Sequence, residues 1–103
     1  MLAEEYFYNE YNKWREETML LSTGIFDNEH FENIVKMGKD AAIFLLNVLM
    51  EGPNHIVHAC DLIYPDEVTY EGYIPLEMVC QVWCHILKEK LREDALSKQT
   101  NNS

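Results

Sequence analysis

Two histidines and three cysteines are the side chains that could support metal chemistry. His55 and His58 are three residues apart, and Cys80 and Cys84 are four apart, so each pair would share one face of a helix. A tetrahedral zinc ion needs four such ligands that converge, and Cys60 is near the histidines in sequence. The short Cys-x-x-Cys spacing of many zinc sites is missing. We therefore expect these cysteines to be small core residues, with no bound metal and no cofactor.

The rest of the sequence contains no clear pattern of catalytic residues. A nucleophilic cysteine needs a lowered pKa and a nearby general base, and an acidic surrounding would raise the thiol pKa instead. The four glycines are isolated, so no glycine-rich loop is available to hold a phosphate group. Carboxylate pairs are frequent, but a small helical domain offers little cleft in which two of them could face a glycosidic bond. We expect no enzymatic activity.

The balance of charge excludes further classes of protein. The chain has 103 residues with 18 acids and 8 bases, a formal net charge of -10. Nucleic-acid binders need a basic surface, so direct binding to nucleic acid is not expected.

The apolar run at 41–46 is far shorter than the roughly 20 residues of a membrane span. Acids near the N-terminus are unlike a signal peptide, and three cysteines fit no disulfide framework, so we expect a cytoplasmic protein.

The acidic excess falls into two blocks that also carry tyrosines. Residues 1–33 contain eight acids and two bases, and residues 61–77 contain five acids and no base. Tyrosine is enriched at protein interfaces because its ring offers apolar area with a polar tip. The candidate partner-binding residues are Glu4, Glu5, Tyr8, Glu16 and Glu17 in the first block, and Asp66, Glu67, Tyr70, Glu71 and Tyr73 in the second. The alternative is that these acids only keep the domain soluble.

Apolar residues recur with helical spacing in five segments, which predicts an all-α domain. The predicted helices cover 2–21, 28–37, 39–50, 55–63 and 75–96, with short connections that favour stacked helical hairpins of the HEAT type. Asp27 and Asn54 are the expected caps of the second and fourth helices, and Pro75 is expected to be the first residue of the fifth. Residues 1–96 would form one domain, followed by a disordered polar tail over 97–103.

The order of these segments resembles a group of small, uncharacterised, HEAT-like helical proteins of bacteria. The resemblance rests on a W-x-x-E-T segment at 14–18, an M-G-x-x-A segment at 37–41 and an L-x-x-x-L segment at 45–49. His55-Ile56-Val57-His58-Ala59 and Gln81-Val82-Trp83 are similar to two later parts of the pattern. The resemblance implies the fold and an occurrence that includes mobile elements. It implies no activity.

These observations favour a protein–protein interaction module that binds a basic partner through the acidic, tyrosine-bearing surface. In a mobile-element setting the partner would be a toxin, a nuclease or a host defence protein, and the chain would act as its antitoxin or inhibitor. One alternative is a nucleic-acid mimic whose carboxylates compete for a DNA- or RNA-binding protein. Another is a small metal-binding or enzymatic protein. The sequence leaves the oligomeric state open.

Overall fold

The computed structural model describes residues 2–20, 27–68 and 72–100, and over these ranges it confirms the all-α class. Its α-helices are α1 (Ala3–Leu20), α2 (Glu29–Met37), α3 (Ala42–Glu51), α4 (His58–Ile63) and α5 (Leu76–Thr100). Two 3-10 segments, Gly38–Ala41 and His55–Val57, lead directly into α3 and α4. The described ranges contain no β-strand.

Helix α1 buries a stripe of aromatic side chains, as its spacing predicts. Phe7, Tyr11 and Trp14 are each less than a tenth exposed. The rings of Phe7 and Tyr11 are stacked with their centroids 6.0 Å apart, and those of Tyr11 and Trp14 are also 6.0 Å apart. Thr18, further along the same face, donates its hydroxyl to the Trp14 carbonyl at 2.8 Å. Stacked rings add a specific geometry to the large apolar area that each one removes from water.

The cap of α2 is Asn28, which corrects the predicted cap at Asp27. Asn28 has extended backbone, and its side-chain Oδ1 accepts hydrogen bonds from the amides of His30 at 2.8 Å and Phe31 at 3.2 Å. Two neighbouring residues with almost equal capping propensity cannot be separated by composition alone. At the other end of the helix, Gly38 adopts a φ of +62°, a backbone conformation that favours glycine.

Replacing Asn28 with alanine is therefore expected to lower the free energy of unfolding by about 1 kcal/mol, because two amides lose their acceptor. Asp27→Ala is the matched control, since Asp27 is exposed, and its effect should stay within about 0.5 kcal/mol. Urea unfolding of both variants measures the difference. A larger loss for Asp27→Ala than for Asn28→Ala would contradict this cap assignment.

The third and fourth helices begin with 3-10 turns instead of the α-helical starts predicted at Lys39 and His55. Such turns are frequent at helix N-termini, and their apolar positions satisfy the same sequence pattern as an α-helical turn. The capping role predicted for Asn54 is confirmed, since its Oδ1 accepts from the Ile56 amide at 2.9 Å. Asn54 also donates its side-chain amide to the Tyr11 hydroxyl at 2.7 Å, which ties this turn to α1.

Helix α5 begins at Leu76, directly after Pro75. The Pro75 carbonyl accepts from the amides of Met78 at 3.0 Å and Val79 at 3.1 Å, so proline lies at the cap position and not one residue inside the helix. The helix continues through Thr100 and takes in the first four residues of the expected disordered tail. Helical hydrogen bonding can propagate through polar residues when no glycine or proline interrupts it. Residues 101–103 lie outside the described ranges.

The core lies between helices that pack in three main pairs. Helix α1 packs on α2, α2 packs on α4, and α3 packs on α5. Trp83 of α5 is completely buried, and its ring centroid lies 6.4 Å from that of Tyr64. Trp14 of α1 is also buried. HEAT-like stacking of hairpins stays a prediction.

Candidate functional site

The first turns of α1 bring three of the predicted partner-binding residues together. Glu4, Glu5 and Tyr8 line one shallow groove of about 480 Å³, together with Leu2 and Asn9. Both glutamates are exposed, and neither has an ion-pair partner in the part of the chain that the structure describes. We call these five residues the N-terminal acidic groove.

Tyr8 is held in place within this groove by the core beneath it. Its ring meets Phe7 edge-on with centroids 5.1 Å apart, and it meets Phe44 of α3 at 6.0 Å. The side chain is half-buried, so part of the ring packs and the remainder faces the groove. A ring that is already fixed loses little conformational freedom when a partner binds it.

Glu16 lies in a different environment from Glu4 and Glu5. It is exposed and lines a second depression with Asn12, Arg15 and Met19. The guanidinium of Arg15 lies over the Tyr11 ring, 5.6 Å from its centroid, so a positive charge is fixed beside this depression. The outer face of α1 is therefore mixed in charge towards its C-terminal half, and its acidic character is concentrated in the first turns.

Glu17 points towards α2, where it contacts a histidine that the sequence did not single out. His30 contacts Glu10 through Nδ1, and its Nε2 lies 2.7 Å from Glu17 Oε2. The His30 and Glu10 side chains are only 12% and 11% exposed, whereas Glu17 is 34% exposed. Asn28, the cap of α2, donates to the other oxygen of Glu17 at 3.5 Å. We call Glu10, Glu17, Asn28 and His30 the α1–α2 cluster.

The cluster places the His30 ring between two carboxylates. Both ring nitrogens of His30 face carboxylate oxygens, and both contacts are hydrogen bonds when both nitrogens carry protons. Glu29 Oε1 is 3.7 Å from Nε2 and is well exposed. The position of Glu10 was an indication of this arrangement, because it lies on the same face of α1 as the buried Phe7 and Trp14. Two of the acids in the first acidic block are thus used between helices.

The structure describes three candidate residues of the second acidic block, Asp66, Glu67 and Tyr73, and they differ in their contacts. Asp66 is exposed, and Tyr73 is 92% exposed. Glu67 instead forms an ion pair with Lys90 of α5, and this hydrogen bond raises the pKa of Lys90. The Lys90 ammonium also lies 5.7 Å from the centroid of the Tyr64 ring. Glu67 therefore fastens the segment after α4 to α5. Tyr70 and Glu71 lie outside the described residues.

The cysteines are placed where thiols are favoured over thiolates. Cys60 and Cys80 are buried and Cys84 is partly buried, and burial raises the pKa of all three. The Cys80 thiol donates to the Asn54 carbonyl at 3.5 Å. Since the thiolate is the nucleophilic form, these positions disfavour cysteine catalysis at neutral pH.

The histidines near Cys60 stack on each other. The ring centroids of His55 and His58 are 5.8 Å apart, and His58 Nδ1 lies 3.8 Å from Asp61 Oδ2. Burial lowers the pKa of His58, which opposes a charged ring there. Within residues 2–20, 27–68 and 72–100, no three His, Cys, Asp or Glu side chains are placed to hold a metal ion.

Among the described helices, none combines the length and the apolar character that crossing a membrane requires. Comparison of the chain with protein-family models, with curated proteins and with solved structures gave no match.

Proposed function

We propose that the chain is a non-enzymatic protein–protein interaction module whose N-terminal acidic groove binds a basic partner. The observation that carries this proposal is the meeting of Glu4, Glu5, Tyr8 and the exposed Leu2 around one groove. A lysine or arginine side chain of the partner would lay its aliphatic stem against Leu2 and Tyr8 and present its cationic head to the carboxylates.

The charge of the whole chain supports the same partner chemistry. A formal net charge of -10 attracts basic proteins over a distance set by the salt concentration, about 8 Å at physiological ionic strength. Such attraction mainly raises the rate of association. Asp66 and Tyr73 belong to the proposal as a second contact region, because both are exposed.

The proposed partner is a basic toxin, nuclease or host defence protein. The chain would inhibit this partner by sterically covering its functional surface. The mobile-element setting comes from the resemblance of the sequence to small HEAT-like bacterial proteins, and that membership is part of the proposal. In this proposal, the rigid Tyr8 ring anchors the bound partner. The carboxylates of Glu4 and Glu5 raise the rate at which the partner associates.

The test is capture of basic partners from the source cell, followed by association kinetics at two salt concentrations. The double variant Glu4→Lys/Glu5→Lys should slow association by about tenfold at low salt and by less at high salt, because rim charges act on encounter. Glu32→Lys/Asp40→Lys is the matched control: both residues are exposed, and the net charge changes equally.

Equal slowing in both double variants would assign the effect to total charge and remove the groove from the proposal. Unchanged rates in the Glu4/Glu5 variant, or the capture of no basic protein, would contradict the proposal itself. Displacement of the captured partner from the chain by duplex DNA would favour the nucleic-acid mimic instead. Circular dichroism of each variant controls for folding, because acids in a first helical turn also stabilise the helix.

A further inference from the structure

Helix α5 presents a continuous outer face that the core does not use. Between residues 77 and 92, the exposed side chains of this helix are Glu77, Met78, Gln81, Val82, His85, Lys88, Glu89 and Arg92. At about 100° per residue, these eight positions fall within an arc of roughly 140°. They therefore form one ridge along the helix, on the side opposite Trp83 and Leu87, which are fully buried.

One edge of this ridge carries two exposed apolar side chains. Met78 and Val82, one turn apart, are 56% and 40% exposed. Met50, at the end of α3, is also exposed and borders the ridge across a groove of about 330 Å³ that Glu77 and Gln81 line as well.

The charge on α5 differs from that on the rest of the chain. The helix holds four acids and four bases and has no net charge, so the remaining residues carry the whole charge of -10. Two copies of so acidic a chain repel each other least where this neutral face of one meets the same face of the other.

We propose that this face binds a second copy of the chain, with the two α5 helices antiparallel about a two-fold axis level with the midpoint of residues 82 and 83. In this register, position 77 of one copy faces position 88 of the other. Glu77 and Lys88 are 11 residues apart, about 16 Å along the helix, and lie within about 20° of each other on its surface. Neither has an ion-pair partner among the described residues.

The face is thus self-complementary, as a two-fold interface requires. Symmetry forms the Glu77–Lys88 pair twice, once at each end of the contact, while the Val82 side chains lie near the axis with Met78 on either side. A face without net charge does not suit the basic partner proposed for the N-terminal acidic groove, so the two surfaces serve different partners.

Sedimentation equilibrium at about 1–200 µM tests the proposal, because dimerisation follows mass action. The expected result is a reversible dimer. Val82→Glu should give a monomer of unchanged helicity, since it places two like charges near the axis. Glu77→Lys and Lys88→Glu should each weaken the dimer by about tenfold, through two surface pairs that turn repulsive, and Glu77→Lys/Lys88→Glu should restore it.

Glu32→Lys is the control, because it makes the same charge change on an exposed position of α2 and should leave the dimer constant unchanged. A wild-type chain that stays monomeric throughout the concentration range would overturn the proposal. So would a dimer that is insensitive to Val82→Glu, because its interface would then lie elsewhere. Failure of the charge exchange to restore the dimer would overturn the antiparallel register.

Discussion

Replacement of Trp83 with alanine is expected to lower the free energy of unfolding by about 3–5 kcal/mol. The Trp83 side chain is completely buried on the face of α5 that packs on α3 and lies against the Tyr64 ring. Its removal leaves a large cavity that the surrounding helices can close only in part. Urea unfolding followed by far-UV circular dichroism measures the loss without depending on tryptophan fluorescence.

Gln81→Ala on the same helix is the control for this experiment, because the Gln81 side chain is exposed and its truncation should cost less than about 0.5 kcal/mol. The loss expected for Trp83→Ala approaches the whole stability of a small domain. If this variant does not fold, Trp83→Phe provides a milder substitution at the same position. A cost below about 1 kcal/mol for Trp83→Ala would mean that the side chain is not a core residue.

The second large effect is expected at His30, in the α1–α2 cluster. His30→Ala should lower the free energy of unfolding by about 3 kcal/mol, because the Glu10 carboxylate would remain largely buried without its partner. Adding Glu10→Gln to this variant should recover part of the loss, since a neutral amide is less costly to bury than an unpaired charge.

His85→Ala is the matched control, since it breaks an exposed histidine–glutamate pair. His85 Nε2 lies 3.3 Å from Glu89 Oε1, and the two side chains are 76% and 58% exposed. Exposed pairs contribute little, so this variant should lose less than about 1 kcal/mol. Equal losses for His30→Ala and His85→Ala would show that burial of the α1–α2 cluster has no energetic consequence. Glu17→Gln should have an intermediate effect, because Glu17 is one-third exposed.

The sequence predicted the positions of the helices better than the details of their ends. The stripe of Phe7, Tyr11 and Trp14 has only one arrangement that buries all three rings, so α1 followed directly from its spacing. The cap of α2 did not, because Asp27 and Asn28 both have side chains that can accept from helical amides. Which of them does so depends on the backbone angle at which the chain enters the helix, a property that tertiary packing decides.

The candidate site was predicted unevenly for a similar reason. Glu4 and Glu5 come together with Tyr8 because all three lie within the first two turns of one helix, where sequence spacing determines proximity. Glu17 was grouped with them by composition, yet its nearest partner, His30, belongs to another helix. Contacts between α1 and α2 depend on the relative orientation of the two packed helices, which cannot be predicted from the residue spacing within either helix.

Asn54 has a consequence for how the domain opens. Its side chain bonds both the Ile56 amide and the Tyr11 hydroxyl, and its backbone amide donates to the Cys80 sulfur at 3.5 Å, so one residue joins α1, the turn before α4 and α5. Detaching α1 alone would separate the Tyr11 hydroxyl from the side-chain amide of Asn54 that now donates to it, and this hydrogen bond would be lost. Fluctuations of the N-terminal helix are thereby coupled to those of the C-terminal one, and the two should unfold as parts of one cooperative unit instead of fraying separately.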